Sequence, residues 1–101
     1  RGAAPDAVRG GGRIVAASPG AGGVVSVPQV SALRYGVDVV GARGEAVQWW
    51  IDGERLTRGR VCRLSAPWPV GSSHRLEVEV RDRRGARMDA TFWTLRVVPA
   101  A

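Results

Sequence analysis

The sequence predicts an all-β fold, a sandwich or barrel of seven or eight short strands. Apolar residues recur with a period of two in several windows, as half-buried strands require. Turn signals built from Gly, Pro and Asp interrupt these windows about every 8–12 residues, the spacing of a sandwich or barrel. No window carries a capped stripe of helical period. With 101 residues, 45% of them apolar, the chain has material for one core and one domain of ordinary size.

Residues 1–12 (RGAAPDAVRGGG) mix Ala, Gly, Pro and Arg without periodicity and read as a flexible arm or linker. RIVAAS (13–18) is the first strand, closed by the turn signal Pro19-Gly20-Ala21-Gly22-Gly23. VVSV (24–27) resumes as a strand until Pro28, which has no N–H for a ladder and therefore marks an edge or an end. In LRYGVDVV (33–40), Leu33, Tyr35, Val37 and Val39 share one face. VQWWI (47–51) puts Val47, Trp49 and Ile51 inward, and Gln48, Trp50 and Asp52 outward. Asp52-Gly53 is a tight hairpin signal leading into ERLT (54–57). RVCRLSA (60–66) alternates again and is bounded by Pro67 and Pro69.

HRLEVEVRD (74–82) is the clearest strand, with Leu76, Val78 and Val80 on one face. Its other face carries Arg75, Glu77, Glu79 and Arg81, which reads as a solvated, salt-bridged surface. In the last strand, 87–98, Trp93, Leu95 and Val97 have the opposite parity to Met88, Ala90 and Phe92. A bulge near 91–92 is expected to transfer the buried face. Residues 99–101 form a short tail.

Composition excludes several functions. No run approaches the ~20 apolar residues of a membrane helix, and no apolar h-region is read near the start. One Cys makes no internal disulfide. Cys62 and His74, the sole Cys and His, are too few for a zinc site. No closely spaced acidic loop suits calcium, no Gly-rich loop leads from a strand into a helix, and neither metal nor cofactor is expected. Nothing local joins Cys62 or His74 to a base and an orienting group, so no catalytic residues are assigned and an enzyme is not expected.

The fifteen basic residues outnumber nine acidic ones and give a net charge of +6. All fifteen are Arg. A GC-rich coding bias would produce the same excess of Arg, Ala, Gly, Val and Pro, so the charge by itself identifies no ligand. It favours acidic partners. Nucleic acid ranks low, because no groove-reading helix or zinc finger is visible.

WWIDG, then PVGSSHRLEVEVRDRRGA, then TFWTLRVV, in that order, resembles bacterial immunoglobulin-like modules of the cell envelope. Within that group the chain is most similar to the C-terminal domain of class A penicillin-binding proteins of the 1C kind. There a proline-and-glycine opening like Ser18-Pro19-Gly20-Ala21-Gly22 precedes a WW-x-DG hairpin. The resemblance spans 13–98 and implies an immunoglobulin-like β-sandwich of about seven strands without catalytic residues. It departs from antibody-type domains, having no second Cys and no Tyr placed for a tyrosine corner.

The expected role is a noncatalytic accessory or interaction module of a bacterial envelope protein, periplasmic or extracellular and part of something larger. Its partner would be a protein or a cell-wall polymer. Trp49 is read as the core indole, and Trp50 as an outward ring able to stack on a partner. Arg55 and Arg58 lie beside Trp50 across the hairpin, and Trp68 is held between two prolines; these four are the expected binding residues. The alternative is a structural or decoration subunit that self-assembles through edge strands or its N-terminal arm, giving a homo-oligomer.

Overall fold

The computed structural model describes residues 12–100. Eight strands form: β1 (Arg13–Ser18), β2 (Val24–Pro28), β3 (Ala32–Val40), β4 (Val47–Ile51), β5 (Glu54–Arg58), β6 (Val61–Ser65), β7 (Ser73–Arg81) and β8 (Arg87–Val98). They build a two-sheet sandwich, with order β1-β3-β6 in one sheet and β2-β8-β7-β4-β5 in the other. The eighth strand arises because the N-terminal segment serves both sheets. β1 pairs antiparallel with β3; the chain then turns at Pro19 and crosses over, and β2 runs parallel to β8. Pro28 ends β2 on the outer edge of its sheet, where a missing N–H leaves no ladder bond unmade.

Alternation puts the expected residues inside. Tyr35, Val37 and Val39 of β3 face Val47 and Trp49 of β4, Leu76, Val78 and Val80 of β7, and Trp93, Leu95 and Val97 of β8 in one core. Trp49 and Trp93 are both fully buried and stack with centroids 5.6 Å apart, while Tyr35 meets the Trp93 ring edge-on at 5.2 Å. Burying an indole is tolerable only when its N–H finds an acceptor. Trp49 Nε1 donates to the Gly59 carbonyl at 2.7 Å, and Trp93 Nε1 to that of Pro19 at 2.8 Å. Each ring therefore also pins a loop.

Cys62 fills a fully buried position, and burial pushes its thiol up to about 11. Since the thiolate is the reactive form, Cys62 should stay unmodified by a thiol reagent at neutral pH and react fully once the chain is unfolded in denaturant. Rapid labelling of the native protein would contradict the packing described here.

Three expectations change. The bulge in β8 lies between Arg87 and Asp89, opposite Val80 and Arg81, and pairing runs unbroken from Asp89 to Arg96. Asp89 and Thr91 therefore keep the inward parity of Trp93. The polar Asp89 is accommodated there because its Oδ2 accepts the Ile14 N–H at 2.8 Å, tying β8 to β1. Gln48 and Glu79 have outward parity, yet both are buried. Arg58 donates to Gln48 Oε1, and Arg81 and Arg87 both donate to Glu79. A carboxylate flanked by two long guanidinium stems is covered even on an outer face.

Residues 1–11 of the expected arm, and Ala101 of the tail, lie outside the described residues. Gly12 is buried, and a Cβ there would stand 2.1 Å from Val80 Cγ1, so only glycine fits.

Candidate functional site

The outer face of the five-stranded sheet carries three of the four expected residues, and register explains how they meet. Arg55 on β5 stands opposite Trp50 on β4, which stands opposite Glu77 on β7, which stands opposite Phe92 on β8. The next row reads Arg58, Gln48, Glu79 and Ala90. Asp52-Gly53 sets the first row: both residues have positive φ, 49° and 85°, as a two-residue hairpin turn of the primed type needs, and a bulge in β5 then brings Arg58, in place of Thr57, opposite Gln48.

Trp50 lies half-buried on this face. The Arg55 guanidinium sits over its ring, 5.5 Å from the centroid, and Arg75 lies over Phe92 at 3.8 Å. Arg75 Nε also approaches Glu77 Oε1 at 3.5 Å, too long for a strong hydrogen bond, which leaves Glu77 free to accept another. Trp50 Nε1 is covered and has no hydrogen-bond acceptor. An unmade bond at a buried N–H costs about 1–3 kcal/mol, so this indole donor is a poorly satisfied group in the fold. Arg58 is braced from below, with Nε donating to Gln48 Oε1 at 3.2 Å, while Gln48 Nε2 donates to the Leu56 and Thr57 carbonyls.

Trp68 stands elsewhere. It packs against the core cluster at the end of the sandwich and stacks on His74, centroids 4.0 Å apart. Its carbonyl accepts from Gln29 Nε2 at 3.0 Å. The structure thus joins Trp50, Arg55 and Arg58 on one face and leaves Trp68 apart from them.

Sequence reasoning missed one constellation. His74 Nδ1 lies 2.6 Å from Asp52 Oδ2, and its Nε2 lies 2.9 Å from Ser72 Oγ. The connectivity is that of a serine–histidine–aspartate triad, and chemistry decides against one. A nucleophilic hydroxyl must aim its hydrogen at the base. Ser72 Oγ instead donates to the Pro69 carbonyl at 2.6 Å. The Gly71 and Ser72 amides are bonded to Val97 and Pro69 carbonyls, so neither is free to form an oxyanion hole. Trp68 covers the imidazole. The group is a brace joining the β4–β5 hairpin to the β6–β7 loop. Its only signals in the sequence are the DG turn and the SSH run, and linking them requires the β4–β7 register.

Asp52 anchors this brace. Burial pushes its carboxyl up, but the Arg75 N–H, the His74 hydrogen bond and the His74 charge together bring it below its ordinary value. Asp52→Ala should cost about 1–3 kcal/mol, as lost charge-assisted hydrogen bonds do. Asp52→Asn, which tolerates positive φ and keeps an acceptor for Arg75, should cost roughly half as much. Urea unfolding at neutral pH measures both. Equal losses would mean that the charge, and not the turn, carries the effect.

Among the described residues, no group of three or more His, Cys, Asp or Glu is placed to hold a metal ion. No helix among them is long and apolar enough to cross a membrane. No protein-family model matches the sequence, and no curated protein matches it. Solved structures do. The fibronectin(III)-like modules of Clostridium thermocellum CbhA superpose with a TM-score of 0.62 at 18% identity, over 88% of this chain and 98% of theirs. The Bacteroides ovatus mixed-linkage glucan utilization protein SGBP-B, solved with a mixed-linkage heptasaccharide, gives a TM-score of 0.61 at 17% identity. That match covers 89% of this chain but only 25% of SGBP-B. Neither is a penicillin-binding-protein domain. What these likenesses establish is the fold: an all-β, immunoglobulin-like sandwich of the fibronectin(III)-like kind.

Proposed function

We propose that this chain is a noncatalytic accessory module of a bacterial cell-envelope protein, periplasmic or extracellular, which contacts a cell-wall polymer through Trp50, Arg55 and Arg58. The observation that carries the reading is the Trp50–Arg55 pair: a large ring and a guanidinium share an outer face, outside the core cluster, and the ring's N–H has no acceptor. Large aromatics and Arg are the side chains that dominate recognition surfaces. The fold neighbours support an accessory role, one being a carbohydrate-utilization protein solved with an oligosaccharide. The resemblance of the WWIDG and GSSHRLEVEV segments to the C-terminal domain of class A penicillin-binding proteins points to the same compartment. In this reading residues 13–98 form the module behind an N-terminal linker, and Trp68 closes the sandwich rather than touching the polymer.

Co-sedimentation with insoluble peptidoglycan, at low and high salt and with DNA-cellulose as control, tests the proposal. Retention on peptidoglycan that survives high salt is expected. Trp50→Ala should abolish that retention while costing no more than about 1–2 kcal/mol of stability, because the ring is only half-buried. Retention on neither matrix, or on both at low salt only, would overturn it.

A further inference from the structure

The outer row offers more than an aromatic ring, because hydrogen-bond donors and acceptors alternate along it. At one end stands Arg55, which lies over the Trp50 ring and has no carboxylate partner among the described residues. In the middle is Glu77, partly exposed and only loosely held by Arg75. At the other end Arg75 lies on Phe92. Arg55 belongs to β5, across β4 from β7, whereas Glu77 and Arg75 both belong to β7, the Arg75 guanidinium reaching over Phe92 of β8; neighbouring strands lie about 4.8 Å apart. Both guanidiniums rest on aromatic faces, which restricts their rotamers and leaves their N–H edges outward for bidentate contacts.

A ligand that satisfies the row must present acceptors at both ends and a donor between them. A DNA backbone brings acceptors alone, and an acidic peptide, although it has backbone N–H donors, crowds carboxylates along its length, so that the charge of either would meet Glu77. A neutral glycan brings hydroxyls but leaves two guanidiniums and the chain's +6 charge without a counterpart. A polysaccharide carrying both carboxylates and hydroxyls matches every station. Resting on the reading above that this face binds a polymer, we propose that the ligand is a carboxylate-bearing polysaccharide, its carboxylates on Arg55 and Arg75 and a hydroxyl donating to Glu77.

Affinity electrophoresis of the intact chain in gels holding polygalacturonate, neutral mixed-linkage glucan or poly-glutamate tests this. Retardation by polygalacturonate well above that by either other polymer is expected. The Arg55→Gln/Arg75→Gln double variant should weaken it by about tenfold or more, as loss of two charge-assisted contacts implies. Glu77→Leu is the sharper probe. It should weaken polygalacturonate binding several-fold while strengthening poly-glutamate binding, because it removes both acceptor oxygens and the repulsive charge together. Retardation by poly-glutamate equal to that by polygalacturonate would reduce the effect to net charge and overturn the proposal. Stronger retardation by neutral glucan would also overturn it, while leaving the polymer-binding reading intact. No retardation by any of the three, with no retention on peptidoglycan, would remove both. Circular dichroism of each variant separates lost contacts from lost fold.

Discussion

Trp49→Ala is expected to lower stability by about 3–5 kcal/mol, the range for truncating a buried aromatic, which is a large part of a small domain's typical ~5–15 kcal/mol. Three losses add at this position. The ring's buried area goes, the stack on Trp93 goes, and the Gly59 carbonyl loses its donor. Trp93→Ala should be similarly severe, because it also frees the Pro19 carbonyl at the crossover between sheets. Urea unfolding followed by far-ultraviolet circular dichroism measures the effect, with Trp50→Ala as internal comparison. The account requires a clear gap between adjacent tryptophans. If Trp49→Ala and Trp50→Ala proved equally damaging, Trp50 would be core and the outer face would lose its principal residue.

The second large effect concerns Glu79, whose side chain is 3% exposed while those of its partners Arg81 and Arg87 are 45% and 57% exposed. This asymmetry decides which substitution hurts. Removing Glu79 lets two half-exposed cations return to water. Removing both arginines strands a buried carboxylate. Arg81→Met/Arg87→Met should therefore cost about 2–3 kcal/mol at neutral pH, below the ~3–5 kcal/mol of a fully enclosed pair because water still reaches the rim; Glu79→Gln should cost about 1 kcal/mol or less.

The pH dependence follows the same logic. In the native protein burial pushes the Glu79 carboxyl up, but hydrogen bonds and charge from Arg81 and Arg87 outweigh it and hold it below its ordinary value of 4.5. A folded-state pKa below the unfolded one gives stability that is fully present above the unfolded value and lost as pH falls through the folded one. Asp52 is lowered too and adds in the same direction. In the double arginine variant burial acts on Glu79 unopposed, so the sign of its contribution reverses. That variant should lose less stability than the native protein, or gain some, between neutral pH and about pH 5. Parallel stability curves for the two proteins would contradict the assignment.

All eight strands sit where alternation and turn chemistry place them, since period-two patterning and the DG, RRG and PG turns are local signals. Trp49 inside and Trp50 outside followed from parity alone. What parity cannot supply is a neighbour. Glu79 reads as solvated until β8 brings Arg87 beside it, and Gln48 until β5 folds over it. Residue character changes near Phe92, and on that ground the sequence predicts a β8 bulge near 91–92. The strand instead keeps its register there, because Asp89 finds the Ile14 N–H on its inward face. The pairing of Trp50 with Arg55 is legible because a two-residue hairpin fixes register by itself, whereas Arg58 joins them only through a bulge in β5, opposite Gln48 and Trp50, that shifts the pairing by one residue. The separation of Trp68 from them, and the Asp52–His74–Ser72 brace, depend on contacts between segments far apart in the chain.

The most direct test of the outer face as a binding surface is the indole region of a ¹H–¹⁵N correlation spectrum, recorded as soluble peptidoglycan fragments are added. The signals of Trp49 and Trp93 come from donors locked onto carbonyls, whereas that of Trp50 comes from a donor with no acceptor. The account predicts that the Trp50 indole signal moves most, together with the amides of Arg55, Arg58, Glu77 and Phe92, while those of Trp49 and Trp93 stay in place. Shifts confined to the β1-β3-β6 sheet or to the Trp68 loop, or no shifts at all, would contradict it.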